Sequence, residues 1–259
     1  MEQYFQIRYE FDRAAIRRAI DNSLAQPGAH YICVADGNIL TQVHRDPAYR
    51  ATVDKALFSI CDSSWVPLYL KRIYDIERQQ YCGADIFRDL VSSSPYRMAF
   101  LGTDEATLSD LRRTISSWNP AAADMLYRAL PYRPVEDFDY PAIAEELNRH
   151  RPDIIWIALG APKQERFMEQ LCPHLEHGIM IGVGAVFNFY SGRIRRAPRW
   201  IVRLHLEFLY RLLTEPRKQL RRCSNILLTL PAAYRDECRR KEKKAREHQN
   251  TNSVSSTLS

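Results

Sequence analysis

Five short apolar runs, each followed closely by a glycine or an aspartate, divide most of this chain. Segments of about 10 to 15 residues with helical spacing separate the runs. This alternation predicts an α/β fold, in which helices cover both faces of a parallel sheet. The runs are residues 30–35, 58–61, 97–101, 153–159 and 179–183.

The residues that follow these runs indicate where a ligand binds. The carboxyl ends of parallel strands meet at one rim of the sheet, and ligands of such folds bind just beyond that rim. We therefore expect the site among the residues at the ends of the runs, which are Asp36, Asp62, Gly102, Gly160 and Gly184.

Charge is distributed unevenly along the chain. The formal net charge of the 259 residues is +6, but residues 193–247 alone carry 17 Lys and Arg against 6 Asp and Glu. The remainder is mildly acidic. This asymmetry favours a polyanionic partner, which could be a nucleic acid, anionic lipid headgroups or a diphosphate substrate. The alternative is a solvated basic helix without a partner.

Composition excludes several classes of protein. With 46% hydrophobic and 26% charged residues, the chain is typical of a soluble globular protein. No apolar run approaches the ~20 residues of a membrane span, and the sequence after Met1 does not resemble a signal peptide. The six cysteines form no C-x-x-C pair, so we expect reduced cytosolic thiols. The seven histidines are scattered, and we expect neither a metal nor a cofactor.

The pattern changes after Gly192. Apolar residues recur at helical spacing over 200–212, a short apolar patch follows at 226–234, and residues 235–247 are highly charged. The Ser, Thr and Asn of the last residues indicate disorder. We therefore divide the chain into a core (1–198), a basic amphipathic helical appendage (199–247) and a disordered tail (248–259).

Two glycine-bearing turns are candidate binding elements. In the first, Gly160 ends a strand and Pro162 suits the first turn of a helix, whose N-terminus attracts anions. Gln164 could hydrogen-bond a sugar or phosphate there. The second turn includes Gly184 but lacks the third glycine of the dinucleotide fingerprint, so NAD binding is weakly supported. An ordinary strand-to-helix turn and close helix–strand packing are the respective alternatives.

Asp62 is the candidate catalytic group. A carboxylate at the end of a buried strand is costly to desolvate, and near pH 7 it could accept a proton as a general base. The alternative is a helix N-cap, which Asp commonly supplies. No G-x-S-x-G motif of a serine hydrolase is present.

Four segments, in order, carry a specific resemblance. Residues 158–165 read ALGAPKQE, 182–192 read GVGAVFNFYSG, 196–198 read RAP and 207–217 read EFLYRLLTEPR. Together they closely resemble the WecG/TagA/CpsF glycosyltransferase family. The likeness covers roughly residues 30–222 and is weaker upstream, at 44–47, 61–62 and 83–86.

The resemblance implies a Rossmann-like core that moves N-acetylmannosamine or a related sugar from a UDP-sugar to a polyprenyl-diphosphate-linked sugar, with inversion, in cell-surface polysaccharide biosynthesis. Asp62 matches the family's proposed base, and Gln164 matches a polar residue of the substrate pocket. Arg211, Lys218 and Arg221 match basic appendage residues thought to reach the diphosphate. The appendage is also expected to close the site and to hold the enzyme on the membrane.

Four pocket positions depart from the family pattern. Val34-Ala35-Asp36 replaces Thr-x-Asn, Ser63 replaces the glycine after the catalytic aspartate, Gln80 replaces an arginine, and Asn188 replaces an aspartate. We expect Asp36, Gln164, Gly160, Gly184 and Asn188 to line the substrate pocket. The departures bear on the choice of donor and acceptor more than on the class of reaction.

We therefore predict an inverting glycosyltransferase bound peripherally to the cytoplasmic face of an anionic membrane. A homo-oligomer is left open. The alternatives are a nucleic-acid-binding protein that uses the basic segment, and a non-catalytic relative that binds sugar nucleotides. Binding of nucleic acid without UDP would favour the former, and UDP binding without release of UDP from any donor would favour the latter.

Overall fold

The structure is a computed structural model that describes residues 1–93, 95–194 and 216–256. Its strands are β1 (Glu2–Tyr4), β2 (Ile7–Glu10), β3 (Gly28–Ala35), β4 (Ser59–Cys61), β5 (Met98–Gly102), β6 (Leu126–Arg128), β7 (Ile154–Ala158) and β8 (His177–Gly182). They form one sheet in the order β1-β2-β4-β3-β8-β7-β5-β6.

Ten α-helices surround this sheet in the described ranges. They are α1 (Arg13–Leu24), α2 (Gly37–Arg45), α3 (Pro47–Lys55), α4 (Trp65–Tyr74), α5 (Gly83–Ser93), α6 (Glu105–Ser116), α7 (Tyr140–His150), α8 (Lys163–Leu171), α9 (Val186–Tyr190) and α10 (Pro216–Ser256). Short 3₁₀ helices occur at Pro120–Asp124, Val135–Asp137 and Cys172–His174.

The sheet is mixed rather than wholly parallel. All neighbouring strands from β2 to β6 run parallel, whereas β1 pairs with β2 antiparallel at one edge. The prediction of an α/β fold with an extended parallel sheet is confirmed, and its five strands are all present. The edge strands β1 and β6, and β2 beside β1, were not predicted, because each has only three or four residues and none is a continuous apolar run.

Helices on both faces complete two hydrophobic cores. The side chains of α2, α3, α4, α7 and α8 cover one face, and those of α1, α5, α6 and α9 cover the other. The central strands are buried on both sides, as expected for a parallel sheet enclosed by helices. Trp156 on β7 is fully buried and packs edge-on against Phe87 of α5.

The long helix α10 packs onto the first of these faces. Leu230 and Ala233 are 4% exposed and join the core beneath α10. The apolar patch at 226–234 is therefore partly a packing surface, while Leu227 and Leu228 on the outer side are 56% and 73% exposed. Within the described residues, none of the helices is both long and apolar enough to cross a membrane.

The described residues include only part of the predicted C-terminal appendage and tail. The amphipathic segment 200–212, with Arg211, lies outside the described residues. The tail predicted to be disordered begins at residue 248, and the helix α10 extends to Ser256. The division of the chain into core, appendage and tail stays a prediction.

Candidate active site

The carboxyl rim of the sheet brings Asp36 and Asp62 together. They follow the paired strands β3 and β4, and the backbone N–H of Asp62 donates to the carbonyl oxygen of Ala35 at 3.0 Å. Both aspartates are half-buried. Because the two strands are neighbours and parallel, residues 26 positions apart in the chain lie side by side.

The N-cap residue of the helix that follows Asp62, α4, is Ser64, whose side chain makes no capping hydrogen bond. The backbone N–H of Trp65, the first residue of α4, donates to Ser63 Oγ at 3.3 Å. The carboxylate of Asp62 accepts the backbone N–H of Gly83 through Oδ1 at 3.2 Å. Gly83 is the first residue of α5, so this bond orients the carboxylate across the rim, toward a helix on the other face of the sheet.

Asp36 caps the N-terminus of α2, the helix that follows it. Its Oδ1 accepts the backbone N–H groups of Asn38 and Ile39 at 2.8 and 3.0 Å, which makes Asp36 the N-cap of α2. The next side chain, that of Asn38, donates from Nδ2 to the carbonyl oxygen of Ala161 at 3.2 Å. The start of α2 is thereby joined to the turn that follows β7.

The two predicted glycine turns meet at this rim. The backbone N–H groups of Gly160 and Gly184 both donate to Oε1 of Gln164, at 3.2 and 3.0 Å. These glycines have φ of +77° and +57°, a region that other residues enter only with strain. A Cβ on Gly160 would meet no atom of the described residues within 4 Å, so these residues leave space on the outer side of the turn.

The side chain of Gln164 therefore points into the protein and is only 3% exposed. We predicted that Gln164 faces a sugar or phosphate group, but its amide oxygen is engaged by the two turns and Nε2 donates to Glu165 Oε1 at 2.7 Å. Gln164 lies beside the two glycine turns, and its contact with a substrate stays a prediction. The hydrogen bonds found here are internal to the protein.

Glu165 is fully buried beneath these turns. Its Oε2 accepts the hydroxyl of Tyr49, on α3, at 2.9 Å. Burial raises the pKa of Glu165 to about 7, and the hydrogen bonds from Gln164 and Tyr49 oppose that rise. Sequence reasoning missed Glu165, Tyr49 and Asn38. The sequence signal for Glu165 is its place in the first turn of α8. An acidic residue there is ordinarily explained by its favourable interaction with the helix dipole.

Two further predicted residues lie near the rim. Gly102 ends β5, beside β7 in the sheet. Asn188 lies on the short helix α9 after the Gly184 turn and is half-buried. A Cβ on Gly83 would touch Val34 of β3 at 3.3 Å and Val186 of α9 at 3.6 Å. These distances place α9 against the same rim as Asp62.

The last helix approaches the rim from the outside. A Cβ on Gly37, the first residue of α2, would come within 3.3 Å of Ile226 Cδ1. Farther along α10, Glu237 accepts the backbone N–H of Phe5, in the turn between β1 and β2 at the opposite rim. The helix α10 therefore runs from the carboxyl rim toward the opposite rim of the sheet. Lys218 and Arg221 precede Ile226 in the chain, so they belong to the end of α10 that is nearer the carboxyl rim.

Aromatic residues of the appendage bear on the nucleic-acid alternative. Tyr234 packs edge-on against Tyr69 of α4, with ring centroids 5.1 Å apart. A ring packed against the body does not form a free platform for bases, which disfavours that alternative. Trp200, Phe208 and Tyr210 lie outside the described residues.

Comparison with known proteins identifies a family and two related enzymes. The sequence profile described as "Glycosyl transferase WecG/TagA/CpsF family" matches residues 5–243. An N-acetylglucosaminyldiphosphoundecaprenol N-acetyl-beta-D-mannosaminyltransferase of Bacillus subtilis (strain 168) is 29% identical over 198 residues, covering 72% of this chain and 75% of its own. The protein with the same description from Bacillus spizizenii (strain ATCC 23059 / NRRL B-14472 / W23) is 26% identical over 204 residues, covering 78% and 77%.

Proposed function

Since the chain belongs to the WecG/TagA/CpsF family of glycosyltransferases, we propose that it transfers N-acetylmannosamine or a related sugar from a UDP-sugar to a lipid-diphosphate-linked sugar. The names of the two relatives support this acceptor class, because both describe transfer to N-acetylglucosaminyldiphosphoundecaprenol. The observation that carries the proposal is that Asp62 and the Gly160 and Gly184 turns all follow parallel strands and lie at the same rim of the sheet.

In the proposed reaction, Asp62 acts as the general base. The acceptor hydroxyl attacks the anomeric carbon from the face opposite UDP, and Asp62 takes the hydroxyl proton. The bond between the anomeric carbon and the β-phosphate oxygen breaks, and UDP leaves with the electron pair. A new glycosidic bond of inverted configuration results. The hydrogen bond from Gly83 holds the Asp62 carboxylate in place without supplying a proton to the reaction.

The departing UDP requires positive charge close by. We propose that Arg211, Lys218 and Arg221 supply it, since charge-assisted hydrogen bonds to phosphate are strong. The contact of Ile226 with the first residue of α2 supports this role, because it brings the basic start of α10 to the rim. The open side of the Gly160 turn would accept the nucleotide, and Asp36 and Asn188 would border the pocket.

We also propose that α10 attaches the enzyme peripherally to the cytoplasmic face of the membrane. Its outer side exposes Leu220, Leu227 and Leu228 among many Lys and Arg. Exposed leucines can enter the headgroup region, and each cation near an anionic leaflet contributes about 1 kcal/mol. The carboxyl rim would then face the lipid-linked acceptor.

A donor screen tests the proposed reaction. The full chain is incubated with a panel of UDP-sugars and a synthetic lipid-diphosphate N-acetylglucosamine, and UDP release and the anomeric configuration of the product are measured. We expect acceptor-dependent UDP release and an inverted product. Retention of configuration would exclude the inverting mechanism. UDP binding without release from any donor would identify a non-catalytic relative, and salt-dependent RNA or DNA binding without UDP binding would favour the nucleic-acid alternative.

A further inference from the structure

One buried carboxylate beside the rim has no part in the proposed reaction. Glu165 is 0% exposed, and its two oxygens accept hydrogen bonds from different directions. Gln164 Nε2 donates to Oε1 at 2.7 Å, and the Tyr49 hydroxyl donates to Oε2 at 2.9 Å. Burying a carboxyl group away from water costs free energy, so a chain that keeps one here requires a compensating benefit.

The amide of Gln164 has two ends with opposite hydrogen-bonding properties. Its oxygen accepts the N–H groups of Gly160 and Gly184, which belong to turns after different strands. If the amide were turned over, its NH₂ group would face those two donors and both would lose their acceptor. An acceptor on the other side of Gln164 fixes the correct orientation, and Glu165 Oε1 is that acceptor.

We propose that Glu165 is a positioning residue, which orients the Gln164 amide and so holds the Gly160 and Gly184 turns in register for the donor nucleotide. This inference rests on the proposed function in one respect, which is the identity of the nucleotide that the two turns bind. Tyr49 extends the arrangement, because its hydroxyl binds the second carboxyl oxygen and anchors it to α3. The chain of contacts runs from α3 through two consecutive side chains of α8 to both turns.

A neighbouring glutamate supplies a matched control. Glu169, one helical turn later on α8, also bonds to α3, accepting from Thr52 Oγ1 and from Lys55 Nζ at 2.6 Å each. It therefore links the same two helices as Glu165. No hydrogen bond described here joins it to Gln164 or to either glycine turn. A loss caused only by loosening α3 from α8 should appear in variants of both glutamates.

The test uses Glu165→Leu, which removes both acceptors at similar volume, and Glu165→Gln, which retains an acceptor for Gln164. Amide hydrogen exchange at Gly160 and Gly184, the dissociation constant for UDP, and the donor KM and kcat are measured for the full chain. For Glu165→Leu we expect exchange at both glycines and the UDP dissociation constant to rise about 10-fold, on the scale of one lost hydrogen bond. The donor KM should rise similarly while kcat changes less than about 3-fold.

Glu165→Gln should restore these values to within about 3-fold of the parent chain, and Glu169→Leu should leave them unchanged. Unaltered exchange at Gly160 and Gly184 in folded Glu165→Leu would overturn the proposal, as would equal effects of Glu165→Leu and Glu169→Leu. If Glu165→Leu does not fold, Tyr49→Phe replaces it, and unchanged exchange in that variant counts against the proposal. Failure of the parent chain to bind UDP would instead refute the proposed function, because the exchange measurement needs no ligand.

Discussion

The carboxylate of Asp62 accepts the backbone N–H of Gly83 at 3.2 Å, a bond between the end of β4 and the start of α5. The residue proposed as the base is thus bound to a helix on the far face of the sheet. Its Oδ1 accepts a main-chain hydrogen bond, which restrains the orientation of the carboxylate.

Asp62→Asn should reduce turnover by about 10²- to 10⁴-fold, the usual contribution of a general base, because an amide cannot take the acceptor proton. The amide oxygen can still accept the Gly83 N–H, so the melting temperature should change little. Asp104→Asn is the matched control, since Asp104 follows β5 and caps α6, where Asn is an equally good N-cap. Parent-like turnover of folded Asp62→Asn in a steady-state assay would remove Asp62 from this role.

Asp36→Ala should lower the free energy of unfolding by about 0.5–2 kcal/mol, because two backbone N–H groups of α2 lose their cap. Asp36→Asn preserves the cap and should retain the stability of the parent chain in urea unfolding. A turnover defect shared by both variants would indicate a role in substrate binding. Equal stability of Asp36→Ala and the parent would contradict the capping role.

Glu165 should make the protein less stable as the pH rises. Its folded-state pKa is raised to about 7, so the folded chain binds its proton more tightly than the unfolded chain does. The resulting stabilisation is complete below the ordinary glutamate pKa of about 4.3 and is lost as the pH rises through about 7.

The size of this effect should be on the order of 3 kcal/mol, from the separation of the two pKa values. Urea unfolding of the parent chain and of Glu165→Gln at pH 5 and pH 8 measures it. The parent should lose stability relative to the variant between these pH values. An identical pH dependence of the two proteins would show that the carboxyl group is not the titrating group.

Glu237 fastens α10 to the body. Its Oε2 accepts the Phe5 backbone N–H and its Oε1 accepts the Tyr74 hydroxyl, both at 2.8 Å, in a site where the glutamate is 3% exposed. Glu237→Ala leaves both donors without this partner and should cost about 1–3 kcal/mol. Limited proteolysis should then cleave within residues 216–256 faster than in the parent or in Glu237→Gln. Unchanged cleavage in Glu237→Ala would mean that other contacts hold the helix.

Leu227→Glu/Leu228→Glu should weaken attachment to anionic vesicles by about 10-fold or more, because it removes two exposed apolar side chains and adds repulsive charge. Flotation with vesicles of anionic phospholipid, at low and high salt, measures the bound fraction. Ser117→Glu/Ala121→Glu adds the same charge at two exposed positions that precede β6, at the amino end of the sheet and away from the carboxyl rim, and serves as the control. No binding of the parent chain at low salt would refute the membrane proposal.

Much of the architecture was determined locally. Runs such as 153–159 and 179–183 are apolar on both sides and end in turn residues, so they predict buried parallel strands and a common rim. The ordered motifs from residue 158 onward were sufficient to predict the family. These properties depend on neighbouring residues in the chain, and neighbouring residues are what a sequence pattern reports.

Tertiary structure decided how the site residues are used. The sequence predicted a polar group at Gln164, but its inward orientation depends on Gly184, 20 positions later, and on Glu165, which is anchored by Tyr49 from 116 positions earlier. The sequence likewise allowed two roles for Asp62, a general base and a helix N-cap. Its hydrogen bond to Gly83 forms only when the fold brings β4 and α5 together. A hydrogen bond between distant segments produces no periodic pattern in the sequence. It requires only one donor and one acceptor, which the fold brings to within about 3 Å of each other.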